Sequence, residues 1–304
     1  MKVFFNNKLI SGPYGGGNQF LKCLRKYLSI DGYVTDLPAD ADIILFNSHQ
    51  NPQQAISLKN KYPNKKFVHR IDGPMRLYNK MSDQRDIVVY NLNNSIADAT
   101  VFQSNYSYEM NLEMGMRIDK PFTIIHNASD PEIFFESSSD HSPKINILAA
   151  SWSSNIRKGF KYYEFLDRHL DFSKYDFYFA GNSPIKFSNI KNLGPLDSLA
   201  LSKQLKKTDI YITASENDPC SNSLIEAITC RVPSLALRSG GHPELLPHDY
   251  LFETHEQLLE KVQLLSDDAL NKAARQKMFP NDIQKVAKQY MAFFDIISRE
   301  DTHE

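Results

Sequence analysis

The sequence predicts an α/β protein of two similar halves, each a parallel sheet with helices on both faces. Short apolar runs rich in β-branched residues alternate with longer amphipathic stretches, as βα units do. A polar, proline-containing segment interrupts that series near its middle. The length of 304 residues exceeds what one ordinary core holds, so two domains are expected.

In the first half, strands are read at 2–5, 43–46, 67–71, 100–103 and 122–125, with helical patterns between them, notably at 19–28. Residues 136–144, ESSSDHSPK, lack apolar periodicity and read as an exposed connection, which sets the expected domains at 1–138 and 139–280. The second series has strands at 145–150, 177–180, 210–213 and 234–237 and helices around 161–170, 199–206 and 222–230. Helical patterns at 255–265, 267–276 and 281–297 exceed what the second sheet needs for cover, so the segment 281–304 is expected to pack back on the first domain.

Composition narrows the function classes. Hydrophobic residues at 41%, charged residues at 23% and a mean hydropathy of -0.44 describe a water-soluble globular chain. Lys plus Arg at 35 balances Asp plus Glu at 36, so no bulk field draws the chain to nucleic acid. No stretch approaches the ~20 apolar residues that span a bilayer. Cys23, Cys220 and Cys230 are odd in number and lack CxxC spacing, which argues against disulfides and zinc and for a reducing cytoplasm.

The motifs that carry chemistry follow strands, where open α/β sheets bind ligands. After 210–213 comes DPCSNSLIE, with Asp218 in the loop and Glu226 in the opening turns of a helix. Both carboxylates can accept hydrogen bonds from ribose or sugar hydroxyls, and the helix-start amides at Ser221, Asn222, Ser223 and Leu224 suit a phosphate. Ser223 and Glu226 also match the S/T-x-x-E capping box, a purely structural alternative. A strand and the turn SGGHPE, 239–244, follow.

Here the chain resembles the retaining GT-B enzymes of glycosyltransferase family 4 (glycosyl transferases group 1). Their hallmark is two glutamates separated by seven residues, then a strand and a Gly-Gly-x-Pro-Glu turn. Asp218 stands at the first acidic position, Glu226 at the second, and Gly240, Gly241, Pro243 and Glu244 in the turn. The resemblance implies two Rossmann-like domains with a cleft between them, with Glu226 on the ribose and Asp218 beside the transferred sugar. Asp is one C–C bond shorter than Glu, ~1.5 Å, so Asp218 is the departure from the pattern.

Three further segments join this reading. In SWSSNIRKGF, 151–160, Arg157 and Lys158 put two cations where the family holds the leaving diphosphate, although a basic pair before a helix is often merely solvated. In GPYGGGN, 12–18, Asn18 and Gln19 replace the Lys and Ser/Thr of a P-loop, and Phe20 breaks the dinucleotide fingerprint. The resemblance lays Gly16 and Gly17 over the donor phosphates or the acceptor. A plain tight turn is the alternative. In HRIDGP, 69–74, Asp72 could orient an acceptor hydroxyl or form a structural bridge with Arg70.

The implied activity is transfer of a hexose-type sugar from a nucleoside diphosphate sugar to a glycan, lipid-linked or other hydroxyl acceptor, with no metal or other cofactor. Two alternatives stay open: a silent sugar-nucleotide-binding subunit and a nucleotide-sugar epimerase of GT-B type. Lys59, Lys61, Lys65 and Lys66 could touch an anionic membrane, or belong to an ordinary solvated helix and loop.

Overall fold

The computed structural model describes residues 1–10, 12, 16–136 and 143–299. It divides into two compact units: residues 1–9, 21–127 and the chain from 282 onward, and residues 10–20 with 128–281.

The first unit carries β1 (Val3–Phe5), α1 (Gly16–Ile30, from Leu21), β2 (Ile43–Asn47), α2 (Pro52–Lys61), β3 (Lys66–Ile71), α3 (Met75–Tyr78), α4 (Arg85–Ile96), β4 (Ala99–Phe102), α5 (Asn105–Glu113) and β5 (Phe122–Ile124). Its five strands are parallel in the order β1-β2-β3-β4-β5. Every residue of β2, IILFN, is buried, as a strand covered on both faces requires. Ile44, Phe46, Phe67, Leu92 and Ile96 form one core, and Ile71, Val89, Phe102 and Met116 another.

The second unit carries β6 (Ile145–Ser151), α6 (Phe160–His169), β7 (Tyr175–Gly181), β8 (Lys191–Gly194), α7 (Ser198–Leu205), β9 (Ile210–Thr213), α8 (Asn222–Thr229), β10 (Ser234–Leu237), α9 (His242–Leu245), β11 (Leu251–Phe252), α10 (His255–Leu264) and α11 (Asp268–Gln276). The strand order β11-β10-β9-β6-β7-β8 is the doubly wound 3-2-1-4-5-6 arrangement read from the other edge. The chain reverses direction across the sheet between β6 and β9, so the loops that follow these two strands flank the switch point.

α12 (Ile283–Arg299) groups with the first unit. It buries Ile283, Val286, Ala287, Tyr290, Phe293, Phe294 and Ile297, an apolar stripe at helical spacing. No helix among the described residues is long and apolar enough to cross a membrane. Two of the four lysines singled out above serve the fold: Lys59 Nζ pairs with Asp98 at 2.8 Å, and Lys65 Nζ donates to the carbonyls of Ala39 and Ala41.

The structure corrects several expectations. The 138/139 boundary lies outside the described residues, but the chain changes units earlier, between 127 and 128. Asn127 is bound into the first unit by Arg70 Nη2 at 2.7 Å, whereas Ser129 Oγ donates to Thr229 and Phe134 is buried in the second core. Gly16 and Gly17 are not a loop but the first residues of α1, which starts three residues before the expected 19. The Asn18 side chain, in the first turn of this helix, bonds both the amide and the carbonyl of Ile10 at 3.0 and 2.9 Å. β8 and β11 were not anticipated. One is an exposed edge strand, KNLG, and the other is two residues long, so neither writes a strong apolar signal.

Candidate active site

Three segments of the second unit, distant in sequence, converge on Asp218. The first is the turn after β6. Asn155 opens it, its side chain accepting from the Arg157 amide at 3.0 Å, and Gly159 closes it with a φ of 86°. A Cβ on Gly159 would stand 2.3 Å from the Ala214 carbonyl oxygen, so glycine is required by packing against the chain that leaves β9 rather than by a ligand. The Glu216 amide donates to the Arg157 carbonyl at 2.7 Å, which clamps this turn to the loop after β9.

Within that clamp Lys158 Nζ donates to Asp218 Oδ2 at 3.0 Å, and both side chains are largely buried, 11% and 14% exposed. Burial alone would push the Asp218 carboxyl up. The Lys158 ammonium and His242 outweigh it, helped by hydrogen bonds from Lys158 and the Cys220 amide, and hold it below the usual carboxylate range.

The third segment is the turn after β10. The Gly241 amide donates to the Asp218 carbonyl at 2.8 Å, and the Asn217 amide donates to Ser239 Oγ at 3.0 Å. Gly240 has a φ of 61°, and a Cβ there would fall 2.2 Å from the Asp218 carbonyl oxygen. Gly240 therefore serves first to seat this turn against Asp218. His242 is fully buried; its Nδ1 donates to the Leu237 carbonyl at 2.8 Å while Nε2 has no partner among the described residues. Burial depresses its pKa, against the opposing pull of the Asp218 carboxylate. His242 is absent from the residues nominated by sequence because the turn pattern leaves its position open.

α8 begins beside this cluster. Its N-cap is Ser221, whose side chain makes no cap bond, so Ser223 is the second helical residue and the capping box does not form. Glu226 lies 8% exposed on the same helix with no hydrogen bond to its carboxyl among the described residues. Burial pushes that carboxyl up to about 8. Gly16 stands so close to Asn222 that a Cβ would meet its side chain at 2.6 Å, whereas Gly17 faces open space. Gly16, Gly17, Arg157, Lys158, Asp218, Ser221, Asn222, Ser223, Leu224, Glu226, Gly240 and Gly241 thus all belong to the second unit.

Asp72 belongs to the first unit, in a network around Arg70, a fully buried cation. Arg70 donates to Asn47 Oδ1 at 2.6 Å, Asp72 Oδ1 at 3.1 Å, Gln103 Oε1 at 3.0 Å and Asn127 Oδ1 at 2.7 Å, and Gln103 Nε2 also donates to Asp72 Oδ1 at 2.7 Å. The structural bridge is therefore present on one Asp72 oxygen, and the other makes no bond among the described residues. His69 is spent on the fold: Nε2 donates to Ser48 O, Nδ1 accepts from Asn93, and the ring stacks on Phe46. Among the described residues no group of three or more His, Cys, Asp or Glu is arranged to hold a metal.

Two parallel-sheet units, the second with its polar cluster at the switch point, define the class: an α/β protein of the GT-B fold with two Rossmann-like units. No protein-family model matches the chain. It is similar over 97% of its length, with a TM-score of 0.78 and 14% identity, to 98% of sucrose-phosphate synthase from Thermosynechococcus elongatus. The Anabaena protein HepE, solved in complex with UDP and glucose, matches with a TM-score of 0.70 and 14% identity over 97% of this chain and 99% of its own. At these identities the likeness is one of fold. In sequence, the chain is 29% identical over 120 residues to N-acetyl-alpha-D-glucosaminyl L-malate synthase of Bacillus anthracis, a match that covers 36% of this chain and 31% of that protein.

Proposed function

We propose that this chain is a retaining glycosyltransferase of the family-4 type, which moves a sugar from a nucleoside diphosphate sugar to a hydroxyl acceptor in a cytoplasmic step of glycan synthesis. The observation that carries the reading is Glu226. A carboxyl buried in the second turn of α8, with no hydrogen-bond donor among the described residues, costs stability of order 1–3 kcal/mol unless a ligand supplies the hydrogen bonds. Ribose hydroxyls are such donors, and the backbone amides of a helix start donate to the adjoining phosphates.

In this reading Lys158 and Arg157 face the diphosphate, and Asp218 holds the Lys158 ammonium in place before the donor arrives. The bond from the anomeric carbon to the phosphate oxygen breaks with its electron pair going to the diphosphate. The acceptor oxygen bonds to the same face of that carbon, and the acceptor proton passes to the diphosphate oxygen. Charge on the leaving group is the main quantity to stabilise, and preorganised cations do this without a resident metal.

The test is calorimetric titration of UDP, GDP and ADP, followed by product analysis with UDP-glucose, UDP-N-acetylglucosamine and GDP-mannose. Transfer or donor hydrolysis supports the transferase, an altered sugar still on its nucleotide supports an epimerase, and binding without turnover supports a silent subunit. Glu226→Gln is expected to weaken the nucleotide that binds by at least tenfold. Unchanged affinity would remove Glu226 from the site.

A further inference from the structure

His242 lies in the Asp218 cluster without a part in the proposed reaction. It opens α9 directly after the turn that seats on Asp218, and it is fully buried. The Leu237 carbonyl, at the end of β10, can only accept, so at 2.8 Å it fixes a proton on Nδ1. A second proton can enter the ring only at Nε2. That atom is buried with no partner among the described residues, which native proteins seldom allow for a polar atom.

Backbone contacts fix the turn that carries the ring against Asp218. The Gly241 amide donates to the Asp218 carbonyl at 2.8 Å, the His242 amide to the Ser239 carbonyl at 3.3 Å, and the Asn217 amide to Ser239 Oγ at 3.0 Å. Two charged groups act on the ring across this packing, Asp218 from the loop after β9 and Lys158 from the turn after β6. Burial opposes a second proton, the Asp218 carboxylate and the Leu237 carbonyl favour it, and the Lys158 ammonium opposes it. With Lys158 Nζ on Asp218 Oδ2 at 3.0 Å, the two charges largely cancel at the ring.

A bound diphosphate changes that balance. In the function proposed above it draws the Lys158 ammonium toward itself, which removes a repulsion from His242 and strands the Asp218 carboxylate in a closed site. A buried carboxylate without its cation is costly, and a proton on the neighbouring ring restores the missing positive charge.

We propose that His242 is a positioning residue for the diphosphate site: as Lys158 turns from Asp218 to the nucleotide, His242 takes a proton from solvent at Nε2 and holds the carboxylate in its place. This rests on Lys158 facing the diphosphate, as proposed above. Nucleotide binding is then coupled to proton uptake, and affinity falls as pH rises.

Calorimetric titration of UDP, GDP and ADP near neutral pH in HEPES, Tricine and Tris, buffers whose ionisation heats differ, counts the protons exchanged. The unaltered chain is expected to take up about half to one proton more per nucleotide than His242→Asn, whose amide can still donate to Leu237 but does not titrate. Glu226 exchanges its own proton alike in both chains, so the difference isolates position 242. A merely structural role would lower affinity in the variant and leave the proton counts equal. Nitrogen-15 spectra of the histidine rings give a second readout on the unaltered chain: a ring with its proton on Nδ1 should become doubly protonated as the nucleotide saturates. Equal proton counts, or ring spectra unchanged by a nucleotide that binds, overturn the inference and leave the donor reading standing. If none of the three nucleotides binds, the donor reading falls and takes this inference with it.

Discussion

Lys158 Nζ donates to Asp218 Oδ2 at 3.0 Å across a separation of 60 residues, and the pair is nearly closed to solvent. The shorter acid at the first position of the acidic pair is thus an ion-pair partner of the cation assigned to the diphosphate. Lys158 therefore has a role in the fold as well as toward a ligand. A lysine read from sequence alone as answering only to the ligand would be free of that stability effect.

Lys158→Ala is expected to lower nucleotide affinity by at least tenfold and also to destabilise the fold by about 2–3 kcal/mol, because it strands a largely buried carboxylate. Adding Asp218→Asn should recover most of the stability and none of the affinity. Denaturant unfolding and calorimetry on the two variants check this; a double variant as unstable as Lys158→Ala would show that the carboxylate is not the cause.

Glu226 sets a pH dependence. Its carboxyl is held up at about 8 in the folded chain, while the unfolded chain releases that proton near pH 4.3. Between these values the folded state binds the extra proton, so its contribution is complete below the unfolded pKa and is lost as pH rises through the folded one. The slope is about 1.4 kcal/mol per pH unit, and Glu226→Gln should flatten it between pH 5 and 8. Urea midpoints across that range measure it.

Gly240→Ala should cost about 1–3 kcal/mol, since glycine there meets both a positive φ and the Asp218 carbonyl. Gly17→Ala, facing open space, should leave thermal unfolding unchanged. A fall in turnover without a fall in stability would then place Gly17 against the donor, and unchanged turnover would make it an ordinary helix residue.

Arg70→Ala should be the most damaging change in the first unit, at about 3–5 kcal/mol, because it leaves Asn47, Asp72, Gln103 and Asn127 without their shared donor. Asp72→Asn keeps the fold's geometry and should cost under ~1.5 kcal/mol. If Asp72 also meets the acceptor, that variant raises the acceptor KM more than it shifts the melting temperature.

Most of the architecture is legible in the sequence because buried parallel strands are written as mainly apolar runs. β9 and β10 sit where the pattern puts them, at Ile210–Thr213 and Ser234–Leu237. Edge strands such as Lys191–Gly194 escape, since one side of them faces water. The basic pair, the acidic pair and the glycine turn were likewise readable as segments following strands, because a parallel sheet delivers its ligand groups at one edge.

By itself, then, the sequence determined two α/β halves, the strands that build them and the short polar segments that follow those strands, since periodicity and strand-end position are local properties of the chain. Tertiary structure decided what the polar groups do. It paired Lys158 with Asp218, left Glu226 without a donor among the described residues, made Ser221 rather than Ser223 the helix cap, gave Gly159 and Gly240 to close backbone packing, and moved the unit boundary to Asn127. Each of these depends on which groups meet across tens of residues and on how much water is excluded when they do. Those quantities exist only once the sheets are closed and their loops are stacked.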